Sequence, residues 1–150
     1  SHKLSDVDIS AYDAIFFPGG LGLMTDMVHD TVVNEAIRLT YESGNIVGAV
    51  CHGPAALLNV QLTDGSYLLK GKKVNSFTRS EEEIDNHKLG EIIPFMLEEE
   101  LAKQGAVFSH TEPFEPYVVS DGNLVTGQNP ASATGVAQKM IELLAENKSS

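Results

Sequence analysis

The chain contains no tryptophan, a single cysteine and only ten basic residues among its 150. One cysteine cannot form an internal disulfide, and a free thiol favours a reducing compartment, so we expect a cytoplasmic protein. The 21 acidic residues bring the formal charge to −11, which argues against nucleic acid and anionic membranes as partners. No apolar run approaches the roughly 18 residues of a membrane span, and no secretory leader is recognisable.

Strand-like and helix-like segments alternate along the chain. Apolar runs predict buried strands at 14–17 and 45–50, and helical spacing between them, over 31–42, places Val32, Ala36 and Leu39 on one face. The remaining predicted elements are strands within 70–77, 106–108, 117–120 and 124–126, and helices at 55–60, at 94–104 and from Asn129 onward, the last with Ala137, Ile141 and Leu144 inside. This alternation predicts one α/β domain with a mostly parallel sheet.

The single cysteine lies at a predicted strand-to-helix corner. The strand at 45–50 ends just before Cys51, His52 follows it, and Pro54 opens the small-residue segment beyond. The helix dipole and the neighbouring imidazole would both favour thiolate over thiol. The pattern therefore predicts a nucleophilic thiol, whereas a lone cysteine after apolar residues is otherwise an inert core residue.

Three glycine-bearing corners follow predicted strands, at 18–22, 51–53 and 126–129. Ligands of open α/β sheets bind at the carboxyl ends of the strands, so we expect these corners to converge. The amides of Gly20 and His52 are the predicted oxyanion donors, and Gly19 and Gly53 allow a substrate to approach closely. The glycine spacing argues against nucleotide binding, and the histidine spacing predicts no metal site.

Three ordered motifs resemble the ThiJ/PfpI superfamily, which has a class I glutamine amidotransferase-like fold. They are YDAIFFPGG at 12–20, AVCHGP at 49–54 and DGNLVTGQNP at 121–130. Within that superfamily, residues 80–83 and 94–98 resemble the branch of glyoxalase III and heat-inducible holding chaperones. The resemblance implies that residues 1–150 form one flavodoxin-like, three-layer α/β sandwich with a nucleophile elbow.

The resemblance also implies an activity and a catalytic triad. The activity is a glutathione-independent glyoxalase III that converts methylglyoxal, a small 2-oxoaldehyde, to lactate without metal or organic cofactor; protein deglycase activity is also attributed to relatives. A holding chaperone and a catalytically inactive truncated homologue are the alternatives. Cys51 would be the nucleophile, His52 the base, and Glu82 the acid that orients the imidazole about thirty residues later, with Glu81 and Glu83 as alternatives in register. Without the resemblance, this acidic triplet would be a solvated helix start.

The chain also departs from the family pattern. The family's opening β-α-β unit, with a glutamate that hydrogen-bonds the cysteine, has no counterpart before Ala14. We therefore expect an N-terminally incomplete domain, whether a fragment, one piece of a cleaved polypeptide or a naturally shortened homologue. Open sheet edges would then favour a homodimer or association with the missing segment. Leu21 stands where the branch has histidine, which removes a polar group from the pocket mouth.

Overall fold

The computed structural model describes residues 12–19, 30–78, 80–81 and 97–149. In chain order these residues form β1 (Ala14–Phe17), α1 (Thr31–Glu42), β2 (Ile46–Val50), β3 (Lys73–Val74), α2 (Leu97–Lys103), β4 (Val107–Phe108), β5 (Val118–Asp121), β6 (Leu124–Gly127) and α3 (Ala133–Ser149). Two 3-10 helices, Gly53–Leu57 and Pro130–Ser132, follow β2 and β6. The α/β class predicted from the sequence is confirmed. None of the helices in these ranges is long and apolar enough to cross a membrane.

The main sheet is mostly parallel, as predicted. Its strand order is β1-β2-β6-β5, and β1, β2 and β6 run parallel to one another. β5 is antiparallel to β6 because Gly122 and Asn123 join them in a tight hairpin, with Gly122 in the left-handed conformation (φ +60°). β3 and β4 form a separate parallel pair. The chain thus brings the carboxyl ends of β1, β2 and β6 to one edge.

β2 is a central strand between β1 and β6, and its side chains contribute to the hydrophobic core on both faces of the sheet. All five of its residues are buried, and successive side chains point to opposite faces. Val47 and Ala49 pack in one hydrophobic cluster with α1, while Ile46 and Val50 pack in a second cluster with α3. The helices therefore cover the two faces of the sheet, and the three-layer sandwich is confirmed.

The apolar face predicted for α1 is not the face that is buried, which is shifted by about one residue. Val32 and Leu39 are exposed, whereas Val33 and Ile37 are buried beside Ala36. The sequence did not determine which face of α1 would be buried, because apolar residues occur on both sides of the helix.

The inner face predicted for α3 is also wrong in part. Val136 and Met140 are buried, whereas Ala137 is exposed and Ile141 is 65% exposed. Leu144 is half-buried and packs against the second cluster, as predicted. All of these residues lie within the α-helix, so packing against the sheet, rather than helical spacing, decides which face is buried.

Gly127 ends β6 at a place where α3 packs closely on the sheet. A Cβ at this position would lie 2.6 Å from Val136 Cγ2 and 2.9 Å from Ser132 Cβ. A Cβ on Gly48 of β2 would instead meet the Sδ and Cε atoms of Met140. The stiff valine and the Cβ of a short side chain have no room to move, whereas the flexible thioether can move aside.

We expect Gly127→Ala to lower the free energy of unfolding by about 1–3 kcal/mol through overpacking, and Gly48→Ala to cost less. Urea unfolding of both variants beside the unsubstituted chain measures the difference. Equal losses would contradict the proposed rigidity of the α3 contact at Gly127.

Candidate active site

Cys51 lies at the carboxyl end of β2 with a backbone φ of +61°. A residue with a Cβ is uncommon in this left-handed region, and its strain costs about 1–3 kcal/mol. Two backbone hydrogen bonds hold the corner: Cys51 N–H donates to the Gly127 carbonyl at 3.0 Å, and Phe77 N–H donates to the Cys51 carbonyl at 2.8 Å. The chain on both sides of β2 therefore fixes the direction in which the thiol points.

The Cys51 thiol and the His52 imidazole are in contact. Cys51 Sγ lies 3.3 Å from His52 Nδ1, and the two residues are only 9% and 5% exposed. The His52 ring packs on the Phe77 ring with centroids 4.6 Å apart. At this separation the imidazole can take the thiol proton and stabilise the thiolate, which is the nucleophilic form.

The helix predicted at 55–60 is absent. The segment after His52 is a five-residue 3-10 helix, Gly53–Leu57, with Pro54 in its first turn. Five residues align few peptide dipoles, so the predicted contribution of a helix dipole to the thiolate is wrong for this segment. The His52 imidazole, which contacts Cys51 Sγ, is a described group that is placed to favour the thiolate.

Gly19 and Gly53 let the end of β1 approach the cysteine corner. Gly19 has φ +108°, and a Cβ on it would lie 2.9 Å from the Val50 carbonyl oxygen and 3.2 Å from Cys51 Cβ. A Cβ on Gly53 would meet the carbonyl oxygen of Phe17. The predicted convergence of these two glycine corners is confirmed. Gly20, the predicted oxyanion donor, and Leu21 lie outside the described residues.

Of the three candidate triad acids, the structure describes Glu81, while Glu82 and Glu83 lie outside the described residues. Glu81 is fully buried, so the solvated interpretation is wrong for this member of the triplet. Its carboxylate accepts hydrogen bonds from Thr78, Phe114 and Asn129, and none from His52. Glu81 is therefore not the acid that holds the imidazole here.

The third glycine corner, at 126–129, contributes one backbone carbonyl and two buried side-chain amides. The carbonyl of Gly127 accepts the Cys51 bond, whereas the side chains of Gln128 and Asn129 point to the irregular segment at 111–115. The sequence pattern predicted Asn129 as a helix start, and neither amide was predicted as a site group. Polar side chains directly after a buried strand were the available signal.

Displaced pKa values occur in a surface network around Arg38, away from the Cys51 corner. The Thr63 hydroxyl, which donates to Glu42, lowers the pKa of that carboxyl, and Arg38 adds to the effect. Glu35 raises the pKa of Arg38 through their hydrogen bonds. Exposed networks of this kind contribute little to stability. Within the described ranges, no three histidine, cysteine or acidic side chains come together as metal ligands would.

Comparison with known proteins identifies relatives along most of the chain. The model of the DJ-1/PfpI family matches residues 1–143. Glyoxalase 3 of Candida albicans is 35% identical over 145 residues, covering 93% of this chain and 61% of that protein. The probable glutathione-independent glyoxalase hsp3103 of Schizosaccharomyces pombe is 37% identical over 152 aligned positions, covering 96% and 58%. The X-ray structure of Rapid Encystment Protein 24 kDa from Francisella tularensis matches with a TM-score of 0.90 at 38% identity, covering 95% and 63%.

The chain spans about three-fifths of the length of these relatives. The match to the family model extends over all three motifs on which the resemblance was based, including the Cys51 corner. The chain belongs to the DJ-1/PfpI family.

Proposed function

We propose that this chain is the catalytic part of a glutathione-independent glyoxalase, which converts methylglyoxal and water to lactate through the Cys51 thiol. The observation that carries the proposal is the 3.3 Å contact between Cys51 Sγ and His52 Nδ1 at a strained corner. The names of the two fungal relatives, at 35% and 37% identity, support the same activity. Its substrate class is the small 2-oxoaldehydes.

The proposed reaction begins with a carbon–sulfur bond. The Cys51 thiolate adds to the aldehyde carbon, and the aldehyde oxygen takes the former thiol proton from His52 to give a hemithioacetal, which leaves the imidazole neutral. His52 removes the remaining hydrogen of that carbon as a proton, and the electron pair forms an enediolate in which the neighbouring ketone oxygen carries the negative charge. Return of the proton to the ketone carbon gives a lactate thioester, which water hydrolyses to lactate and free thiol. Oxidation of the aldehyde carbon balances reduction of the neighbouring ketone carbon.

The other site residues have supporting roles in this proposal. Glu82 is the acid that holds the imidazole in the productive tautomer. The amides of Gly20 and His52 stabilise the developing oxyanion, and the missing side chains of Gly19 and Gly53 leave room for the substrate. We further propose a cytoplasmic protein that acts as a homodimer or together with an N-terminal segment.

We expect Cys51→Ala to reduce lactate formation from methylglyoxal, without glutathione, to the uncatalysed level, because alanine cannot form the carbon–sulfur bond. A lactate-specific enzymatic assay on the unsubstituted chain and the variant measures this. His110→Gln, on an exposed histidine, is the matched control and should leave the rate unchanged.

The assay includes the chain joined to the N-terminal β-α-β unit that the family resemblance implies. Cys51-dependent lactate from either protein supports the enzyme. Suppression of client aggregation that survives Cys51→Ala, with no lactate from either protein, would favour the holding chaperone. Neither activity in either protein would identify a catalytically inactive homologue.

We expect His52→Gln to slow alkylation of Cys51 by iodoacetamide at pH 7 by about tenfold, because glutamine cannot take the thiol proton. Intact-protein mass spectrometry follows the reaction at one site, since Cys51 is the single cysteine. His110→Gln again serves as the control. Equal rates for the unsubstituted chain and His52→Gln would mean that the imidazole does not activate the thiol.

A further inference from the structure

Glu81 is a buried carboxylate that the proposed chemistry does not use. Its Oε1 atom accepts hydrogen bonds from Thr78 N and Thr78 Oγ1, both at 2.9 Å. Its Oε2 atom accepts from Phe114 N at 2.7 Å and from Asn129 Nδ2 at 2.9 Å. All four donors are neutral, so hydrogen bonds alone offset the cost of burying this side chain. The carboxylate thereby ties three parts of the chain together beside the Cys51 corner.

One of these parts is the irregular segment at 111–117, which buried side chains hold in place. Besides the Glu81 bond to Phe114, Asn129 Nδ2 donates to the Glu115 carbonyl, and Thr111 N–H donates to Gln128 Oε1 at 2.9 Å. Phe114 has a backbone φ of +62°, which is strained for a residue with a large side chain. The short bond from its amide to Glu81 supports this conformation.

Three rings run in sequence from the catalytic imidazole to the surface. The His52 and Phe77 centroids are 4.6 Å apart, and the Phe77 and Phe114 centroids are 5.8 Å apart in an edge-on arrangement. Phe77 is only 2% exposed, whereas Phe114 is 41% exposed. Phe114 is therefore the ring of the three that offers a large apolar face to an arriving molecule.

We propose that Phe114 is a specificity-determining residue, and that Glu81 is the positioning residue that holds it. This inference rests on the proposed glyoxalase function. The substituent of the 2-oxoaldehyde packs on the exposed face of Phe114 while the aldehyde carbon meets Cys51. An aryl substituent gains more from such a contact than a methyl group does, so the ring favours aryl 2-oxoaldehydes.

The test compares kcat/KM for phenylglyoxal and methylglyoxal. Phe114→Ala should lower the phenylglyoxal-to-methylglyoxal ratio by about tenfold, mainly through the KM for phenylglyoxal. Tyr67→Ala removes a comparably exposed aromatic ring from the Gln61–Tyr67 bridge and should leave the ratio unchanged. An unchanged ratio in Phe114→Ala overturns the proposal.

The role of Glu81 is tested through its coupling to Phe114. In Glu81→Gln one of the two acceptor oxygens becomes an NH₂ donor, so either Phe114 N–H or Thr78 N–H loses its acceptor and the support of Phe114 weakens. The substrate ratio should then fall, but Glu81→Gln should not lower it further when Phe114 is already alanine. If Glu81 had only a structural role, Glu81→Gln would lower kcat/KM equally for both substrates and leave their ratio unchanged. That result would overturn the positioning role. Thr78→Val removes the hydroxyl that donates to Glu81 Oε1 and accepts from Glu81 N–H, but leaves the bond from Phe114 N–H to Oε2. It should lower the ratio less, so it replaces Glu81→Gln if that variant does not fold.

A binding measurement separates this inference from the proposed function. Mandelate and lactate, the products of the two substrates, are titrated into Cys51→Ala and followed by NMR of the labelled phenylalanine rings. Preferential mandelate binding that is lost in Phe114→Ala supports the role of the ring even if no protein forms lactate from methylglyoxal. Equal mandelate binding with and without the Phe114 ring overturns it, whatever the turnover.

Discussion

The site depends on one constraint, the left-handed backbone of Cys51 at the end of β2. That conformation is unfavourable for cysteine, so it persists because its surroundings determine it. The Cys51 N–H donates a hydrogen bond to the Gly127 carbonyl of the neighbouring strand β6, and the Phe77 N–H donates to the Cys51 carbonyl. Gly19 and Gly53 then let the end of β1 close over the corner. The result is a thiol held against His52 by backbone geometry.

A second level of order comes from buried polar side chains. The segment at 111–117 lies outside the regular strands, so its backbone groups need other partners. Glu81, Gln128 and Asn129 supply them, and Ser132 adds a bond to Tyr117 N. An apolar side chain in their place could fill the space but could not fix the backbone. The structure thus uses costly buried groups where a defined loop conformation is needed beside the thiol.

The sequence predicted the strands, the sheet and the Cys51 corner because each has a local signal. β1 and β2 are short apolar runs, and the corner is marked by glycine, proline and the single cysteine. The phase of α1 was not predictable, because Val32 and Val33 are adjacent and packing against the sheet decides between them. Burial of Glu81 was also missed, since its partners Phe114 and Asn129 are distant in sequence. The role of Glu82 stays a prediction.

The residues that build the corner come from separate stretches of the chain: Gly19, Cys51 with His52, Phe77, and Gly127. Contacts between distant stretches form only when the loops between them have closed, which is a slow step in folding. A partly folded chain therefore carries an ordinary thiol, even where β2 has already formed. Fast thiol reactivity becomes a property of the completed fold, so its return during refolding would report when the last of these stretches has docked.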